Sequence, residues 1–292
     1  MFNHSPNINT PLLDIVRPSV QFPINSPPIL PPPDYHTLIN ECNGYQCKIE
    51  ELLRKYEIDR LYSEKFPILK QYNIVFLIDD YGYMNTQLEE GPHKTRYDEL
   101  KSVIKIVVEI SAIFNDDGID IYFLNRDPVF CVNSTVNIDD ILKDKPHRQK
   151  RLTECCSQIF SRFNQSENPV LFVIATGSVP IDECGNIDIS NFSCCINNRN
   201  IDNINISLLS CSYANNTIAY LNKYDNKEKN VDTLDDYLSE KKKIINAHGS
   251  NCSYSLGHHT ARLLIAPLFP EIGCLYESKF QGCKSKKRCI II

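Results

Sequence analysis

A chain of 292 residues, 42% of them hydrophobic, can bury one sizeable core, and this length allows one large domain or two small ones. A net charge of −5 and a pI near 5.8 exclude a surface that is basic throughout, so nucleic acid is not an expected partner. The thirteen cysteines are scattered and odd in number, with neither a CxxC pair nor the Cys/His spacing of a tetrahedral zinc site, and they read as reduced structural thiols.

Residues 1–34 hold nine prolines and almost no apolar periodicity. Such a stretch cannot bury enough surface to offset its ordering entropy, so a disordered arm, partly polyproline II, is expected. Its end, Pro31-Pro32-Pro33-Asp34-Tyr35, carries the P-P-x-Y pattern in Pro32, Pro33 and Tyr35. WW domains read that pattern, because prolines preset an extended helix for an aromatic groove and the tyrosine adds the specific contact; a proline-rich arm also produces it by chance. The first residues lack a basic stretch followed by an apolar one, and no run approaches the ~18 apolar residues of a spanning helix, so a reducing cytosol is the expected compartment.

Residues 35–65 form a flanking segment, helical from Gln46 to about Lys65, where Ile49, Leu52, Leu53 and Tyr56 and then Ile58, Leu61 and Tyr62 recur at three- and four-residue spacings. Beyond it, short β-branched and aromatic runs alternate with helical stretches: Ile74 to Asp79, then Arg96 to Phe114; Ile119 to Leu124, then about Gln149 to Phe163. The runs Val170 to Ala175 and Ile204 to Cys211 follow, with helices near Thr217 to Lys223 and Ser255 to Leu268. This alternation predicts a doubly wound α/β fold with a mostly parallel sheet over residues 66–280. Such sheets bind ligands beyond the carboxyl ends of their strands, which directs attention to Asp79-Asp80-Tyr81-Gly82-Tyr83-Met84.

The stretch Asn-Ile-Val-Phe-Leu-Ile-Asp-Asp-Tyr-Gly-Tyr-Met, residues 73–84, resembles the first strand and metal-ion-dependent adhesion motif, Asp-x-Ser-x-Ser, of von Willebrand factor A domains. The likeness runs from about Phe66 to Phe280, through TRYDELK, DGIDIYFLNR, VLFVIATGSVPIDECGNIDI, AYLNKYD and DDYLSEKKKI, and points to a eukaryotic cytosolic branch. In the family a middle-loop Thr and an Asp after the central strand complete the metal shell. By that resemblance Asp79 takes the Asp place, Tyr81 and Tyr83 stand where the serines belong, and Thr176 stands for the last Asp. The middle loop reads Lys145-Pro146-His147-Arg148-Gln149-Lys150, without a hydroxyl. One carboxylate survives where a hard cation wants several oxygens, so a degenerate ion site is expected, with no cofactor and no Mg²⁺. Asp79 then caps its turn or pairs with a cation, and the two tyrosine rings pack or form an aromatic interaction rim. The competing reading keeps a metal-dependent ligand site, with Asp79, Tyr81 and Thr176 in a remodelled shell.

Hydrolytic chemistry would need a nucleophile, a base and an orienting group. Cys155 and Cys156 fall in a helical stretch and His258 and His259 near a helix start, without a G-x-S-x-G, HExxH, P-loop or dinucleotide motif, so a buried thiol and partly exposed imidazoles are expected and no enzyme activity.

Residues 281–292 form the tail, in which Cys289-Ile290-Ile291-Ile292 is a C-a-a-X box behind Lys284, Lys286, Lys287 and Arg288. Cys289 is the expected prenylated residue, Cys283 a second candidate for a palmitoyl chain. Each basic residue adds about 1 kcal/mol near an anionic leaflet, so the four supply roughly 4 kcal/mol to a lipid that holds only reversibly by itself. A solvated tail or a nuclear import signal is the alternative for the basic run. These features together predict a non-catalytic protein-binding adaptor on the cytosolic face of a membrane, with a WW-domain protein as a candidate partner.

Overall fold

The computed structural model describes residues 35–143, 151–212, 219–221, 223–224, 228–249 and 252–273, with side chains from residue 45 onward. The arm with Pro32 and Pro33, the loop 145–150 and the tail with Cys283 and Cys289 lie outside the described residues.

Six strands form one sheet in the order β3-β2-β1-β4-β5-β6. They are β1 (Asn73–Ile78), β2 (Ile119–Phe123), β3 (Val129–Val132), β4 (Val170–Thr176), β5 (Ile204–Ser210) and β6 (Val231–Leu234). β1 pairs in parallel with β2 on one side and β4 on the other, β5 and β6 continue in parallel, and β3 alone runs antiparallel on the β2 edge. The strand order therefore reverses between β1 and β4, and the crevice at their carboxyl ends is where an open α/β sheet receives ligands.

Successive residues of β1 face opposite ways and enter two separate cores. Ile74, Phe76 and Ile78 pack with α3 (Arg96–Phe114) and α8 (Leu256–Ile265), while Val75 and Leu77 pack with α5 (Leu152–Phe163) and α6 (Ile189–Asn197). Helices thus cover both faces, which is why the central strands read as mostly apolar runs. Further helices among the described residues are α1 (Tyr35–Tyr56), α2 (Arg60–Ser63), α4 (Ile138–Ile141), α7 (Tyr237–His248) and α9 (Pro270–Gly273).

The flanking segment is longer and more broken than its periodicity predicts. α1 begins at Tyr35, the tyrosine of the P-P-x-Y pattern, and stops at Tyr56 because Glu57 adopts a left-handed φ of 52°. Asp59 then caps α2 by accepting from the Leu61 N–H at 2.8 Å. Leu52, Leu53, Ile58 and Tyr62 from this segment enter the α3–α8 core.

α3 starts where the sequence places it because Thr95 and Asp98 form a capping box. The Thr95 hydroxyl accepts from the Asp98 N–H, and the Asp98 carboxylate accepts from the Thr95 N–H, both at 3.1 Å. Six of the labelled strands and helices escape the periodicity altogether: β3, β6, α4, α6, α7 and α9. β3 is a four-residue edge strand interrupted at Cys131, whose φ of 56° shifts its register, and β6 carries Asp232 and Thr233 among its four buried residues.

Candidate functional site

Asp79 directly follows β1 and is held at the switch point by its N–H, which donates to the Ala175 carbonyl of β4 at 2.9 Å. Its carboxylate is 1% exposed. Oδ2 accepts three hydroxyl hydrogen bonds, from Ser178 at 2.6 Å, Thr176 at 2.7 Å and Tyr83 at 3.2 Å, and Oδ1 accepts the Tyr81 N–H at 3.3 Å. Burial holds this carboxyl above the ordinary aspartate range, against the three hydroxyls, which favour the ionised form. Of the two roles expected of Asp79, the structure displays the turn cap.

The structure therefore brings Asp79, Tyr83 and Thr176 together and adds Ser178, which the family pattern does not mark. Ser178 stands two residues past Thr176, so its only signal in the sequence is its place in the loop after an apolar strand. Tyr81 contributes its backbone N–H to the cup, while its ring packs against Tyr83 with centroids 5.7 Å apart.

Tyr83 lies across Gly177, where a Cβ would come within 2.4 Å of the ring Cε2, 2.7 Å of the hydroxyl and 2.8 Å of the Cys211 carbonyl. The ring fills the crevice that a smaller residue would leave open. Burial, and then the Asp79 charge, push the Tyr83 phenol well above the usual tyrosine range, so it stays a neutral donor. Arg96 lies over the ring at 6.0 Å, at the limit of a cation–π contact. Tyr220 closes the cup by donating to the Ser178 carbonyl at 3.1 Å.

Asp80, the neighbouring carboxylate, points elsewhere and does structural work. It accepts from the Asn125 N–H at 3.0 Å, the Asn125 amide at 2.8 Å and Arg126 Nε at 3.0 Å, tying the end of β1 to the loop after β2. The same guanidinium donates to the Tyr97 hydroxyl and the Ile141 carbonyl and stacks on Phe123 at 3.9 Å.

Beside the cup, among the ends of α3, β5 and α8 and the start of α7, lies a cavity of about 10 Å³, room for one water. Glu99, Asp236, His259, Ser210, Cys211 and Arg96 reach it. Sequence reading missed this group because its members lie far apart in the chain. Glu99 accepts the Tyr237 N–H at 3.2 Å, at the start of α7. Burial, and then the charge of Asp236, raise its carboxyl to about 7.

His258 and His259 correct an expectation: neither imidazole is partly exposed, at 8% and 1% exposure. His258 completes the capping box of α8 with Ser255, and His259 meets the Tyr254 hydroxyl at 3.2 Å. Burial lowers the His259 imidazole to about 3 and pushes the Cys211 thiol well above the usual range, so both are neutral, opposite to an activated thiolate–imidazolium pair. Cys155 and Cys156 are buried in the core on the opposite side of the sheet from α8. Among the described residues, no three His, Cys, Asp or Glu side chains group as a metal cage, and no helix is long and apolar enough to cross a membrane.

Fold and site define an α/β protein with a mostly parallel six-stranded sheet, helices on both faces and a hydroxyl-lined carboxylate at the switch in strand order. No family model matches the chain, and no curated protein is significantly similar to it.

Proposed function

We propose that this chain is a von Willebrand factor A-like binding module that acts as a non-catalytic adaptor on the cytosolic face of a membrane. The observation that carries the reading is the filled cup. Asp79 Oδ2 already accepts three hydroxyls, and the Tyr83 ring occupies the space over Gly177. An ion would have to strip those donors from a single carboxylate, whereas a protein partner needs only the rim, where Tyr81, Tyr83 and Arg96 offer aromatic and cationic surface of the kind enriched at interfaces. Prenylation of Cys289, supported by the basic residues 284 and 286–288, supplies the tether, and Pro32, Pro33 and Tyr35 the recruitment motif for a WW-domain partner.

The tether is tested by intact mass and membrane partition of the full chain expressed in a eukaryotic cell, beside Cys289→Ser. The expected result is a prenyl mass on the parent and loss of membrane association in the variant; an unmodified parent that stays in the soluble fraction overturns the tether. Recovery of WW proteins by a chain carrying Pro32→Ala and Tyr35→Ala would overturn the motif.

A second reading, metal-dependent ligand binding, draws on the same convergence: three hydroxyl oxygens lie within 3.2 Å of one carboxylate oxygen, and a rotated hydroxyl presents a lone pair instead of a proton. It predicts stabilisation by millimolar Mg²⁺ that Asp79→Asn abolishes. An unchanged melting temperature removes it.

A further inference from the structure

The cavity between α3, β5, α7 and α8 is built unlike the cup. Glu99 is 7% exposed, and its Oε2 has no hydrogen-bond partner among the described residues. Ser210, 1% exposed at the end of β5, has an unpartnered hydroxyl as well. Both residues line the same water-sized space. A buried polar atom without a partner is costly, the more so when charged, so two such residues lining one space favour an occupant that bonds to both.

Charge identifies that occupant. The ionisable groups facing the void are Glu99 and Arg96 from α3, Cys211 after β5, Asp236 before α7 and His259 from α8. Cys211 and His259 are held neutral by burial, so above about pH 7, where Glu99 is ionised, two carboxylates face one guanidinium and one negative charge is left over. A divalent ion would overshoot that charge, and an anion would add to it. Size excludes organic cations, because the space takes about one water.

We infer that this cavity is a binding site for a monovalent alkali cation, held by Glu99 Oε2 and the Ser210 hydroxyl with the Asp236 carboxylate supplying the second charge. The ion would couple three elements: α3 through Glu99, the end of β5 through Ser210, and the start of α7, whose Tyr237 N–H already donates to Glu99. It would also stiffen the floor of the neighbouring cup, since Cys211 lines the cavity while its carbonyl packs against Gly177 beneath Tyr83.

The test is thermal unfolding of the full chain at about pH 8 and fixed ionic strength, in NaCl, in KCl and in choline chloride, whose quaternary ammonium does not fit a water-sized space. Sodium or potassium should raise the melting temperature by about 3 °C over choline. The rise should shrink at about pH 5, where a proton competes for Glu99, vanish in Glu99→Gln and persist in Asp79→Asn. Persistence in Asp79→Asn separates this site from the cup, so the failure of either reading leaves the other testable. Equal melting in all three salts, or a full rise retained in Glu99→Gln, overturns the cation site.

Discussion

Asp79 and Glu99 are both buried carboxylates, at 1% and 7% exposure, on the same end of the sheet, yet their surroundings differ in kind. Asp79 sits among donors: three hydroxyls and a backbone N–H converge on it. Glu99 has one backbone donor, a second carboxylate beside it and one oxygen facing a void. Burial raises both pKa values, but at Asp79 every other contribution favours the charge, whereas at Glu99 the neighbouring Asp236 adds to the burial. The pair teaches that depth alone does not decide whether a carboxylate is a finished structural element. The supply of donors does, and by that measure Asp79 is complete and Glu99 is not.

The comparison breaks most severely if Asp79 loses its role as acceptor. Asp79→Ala leaves three hydroxyls and a backbone N–H converging on nothing, and should cost about 3 kcal/mol, read as a lower denaturant midpoint at unchanged slope. Gly177→Ala attacks the same cup from below. Its Cβ would meet both the Tyr83 ring and the Cys211 carbonyl, so the ring must leave, at about 2 kcal/mol for the overpacking. A Gly177→Ala protein as stable as the parent would show that Tyr83 is not seated there.

Glu99→Gln acts in the opposite direction. A carboxyl whose folded pKa is about 7 against an ordinary 4.5 binds more protons folded than unfolded between those values. Its contribution is therefore fully present below about pH 4.5, falls as pH rises toward 7 and is gone above it. In choline buffer the parent should lose stability across that window. Glu99→Gln, with no charge to bury, should flatten the curve and be the more stable protein at pH 8 by on the order of 1.5 kcal/mol. Parallel curves for parent and variant would show that Glu99 is ionised throughout and already satisfied.

The two carboxylates also differ in how far the sequence reveals them. Asp79 ends an apolar run and opens a Gly-containing turn, so its place at a strand end, and Thr176 after a second such run, are legible from periodicity alone. The partnership of Tyr83 with Gly177 is not, because it depends on a ring crossing from the loop after one strand to the loop after another. Glu99 is less legible still: it sits in TRYDELK as one more acidic residue in the first turn of a helix, where a carboxylate suits the helix dipole. Only the docking of α7, itself hidden in a polar stretch, turns it into a buried group. The central strands β1, β2, β4 and β5 are readable because both faces are covered and the runs are mostly apolar, with Asp120 in β2 and Asn205 and Ser207 in β5 as polar interruptions. The edge strands β3 and β6 are only four residues long, too short to establish a period. His258 and His259 mislead in the same way: their burial follows from tertiary packing, His258 against Tyr62 of α2 and Tyr254, His259 against Tyr237 of α7 and Tyr254, which polarity does not announce.

The smallest expected effect separates the two things Tyr83 does. Its hydroxyl gives Asp79 the longest of the three hydroxyl contacts, 3.2 Å against 2.6 and 2.7 Å, while its ring fills the crevice over Gly177. Tyr83→Phe keeps the ring and deletes one donor, and should cost about 1 kcal/mol, because Ser178 and Thr176 continue to hold the carboxylate. If the aromatic rim is the interaction surface, Tyr83→Phe should leave partner capture intact while Tyr83→Ser, which restores the hydroxyl of the adhesion motif and empties the crevice, should abolish it. Should Tyr83→Ser instead acquire a melting temperature that rises with Mg²⁺, the ring is what keeps an ion from Asp79, and the carboxylate retains the capacity to coordinate.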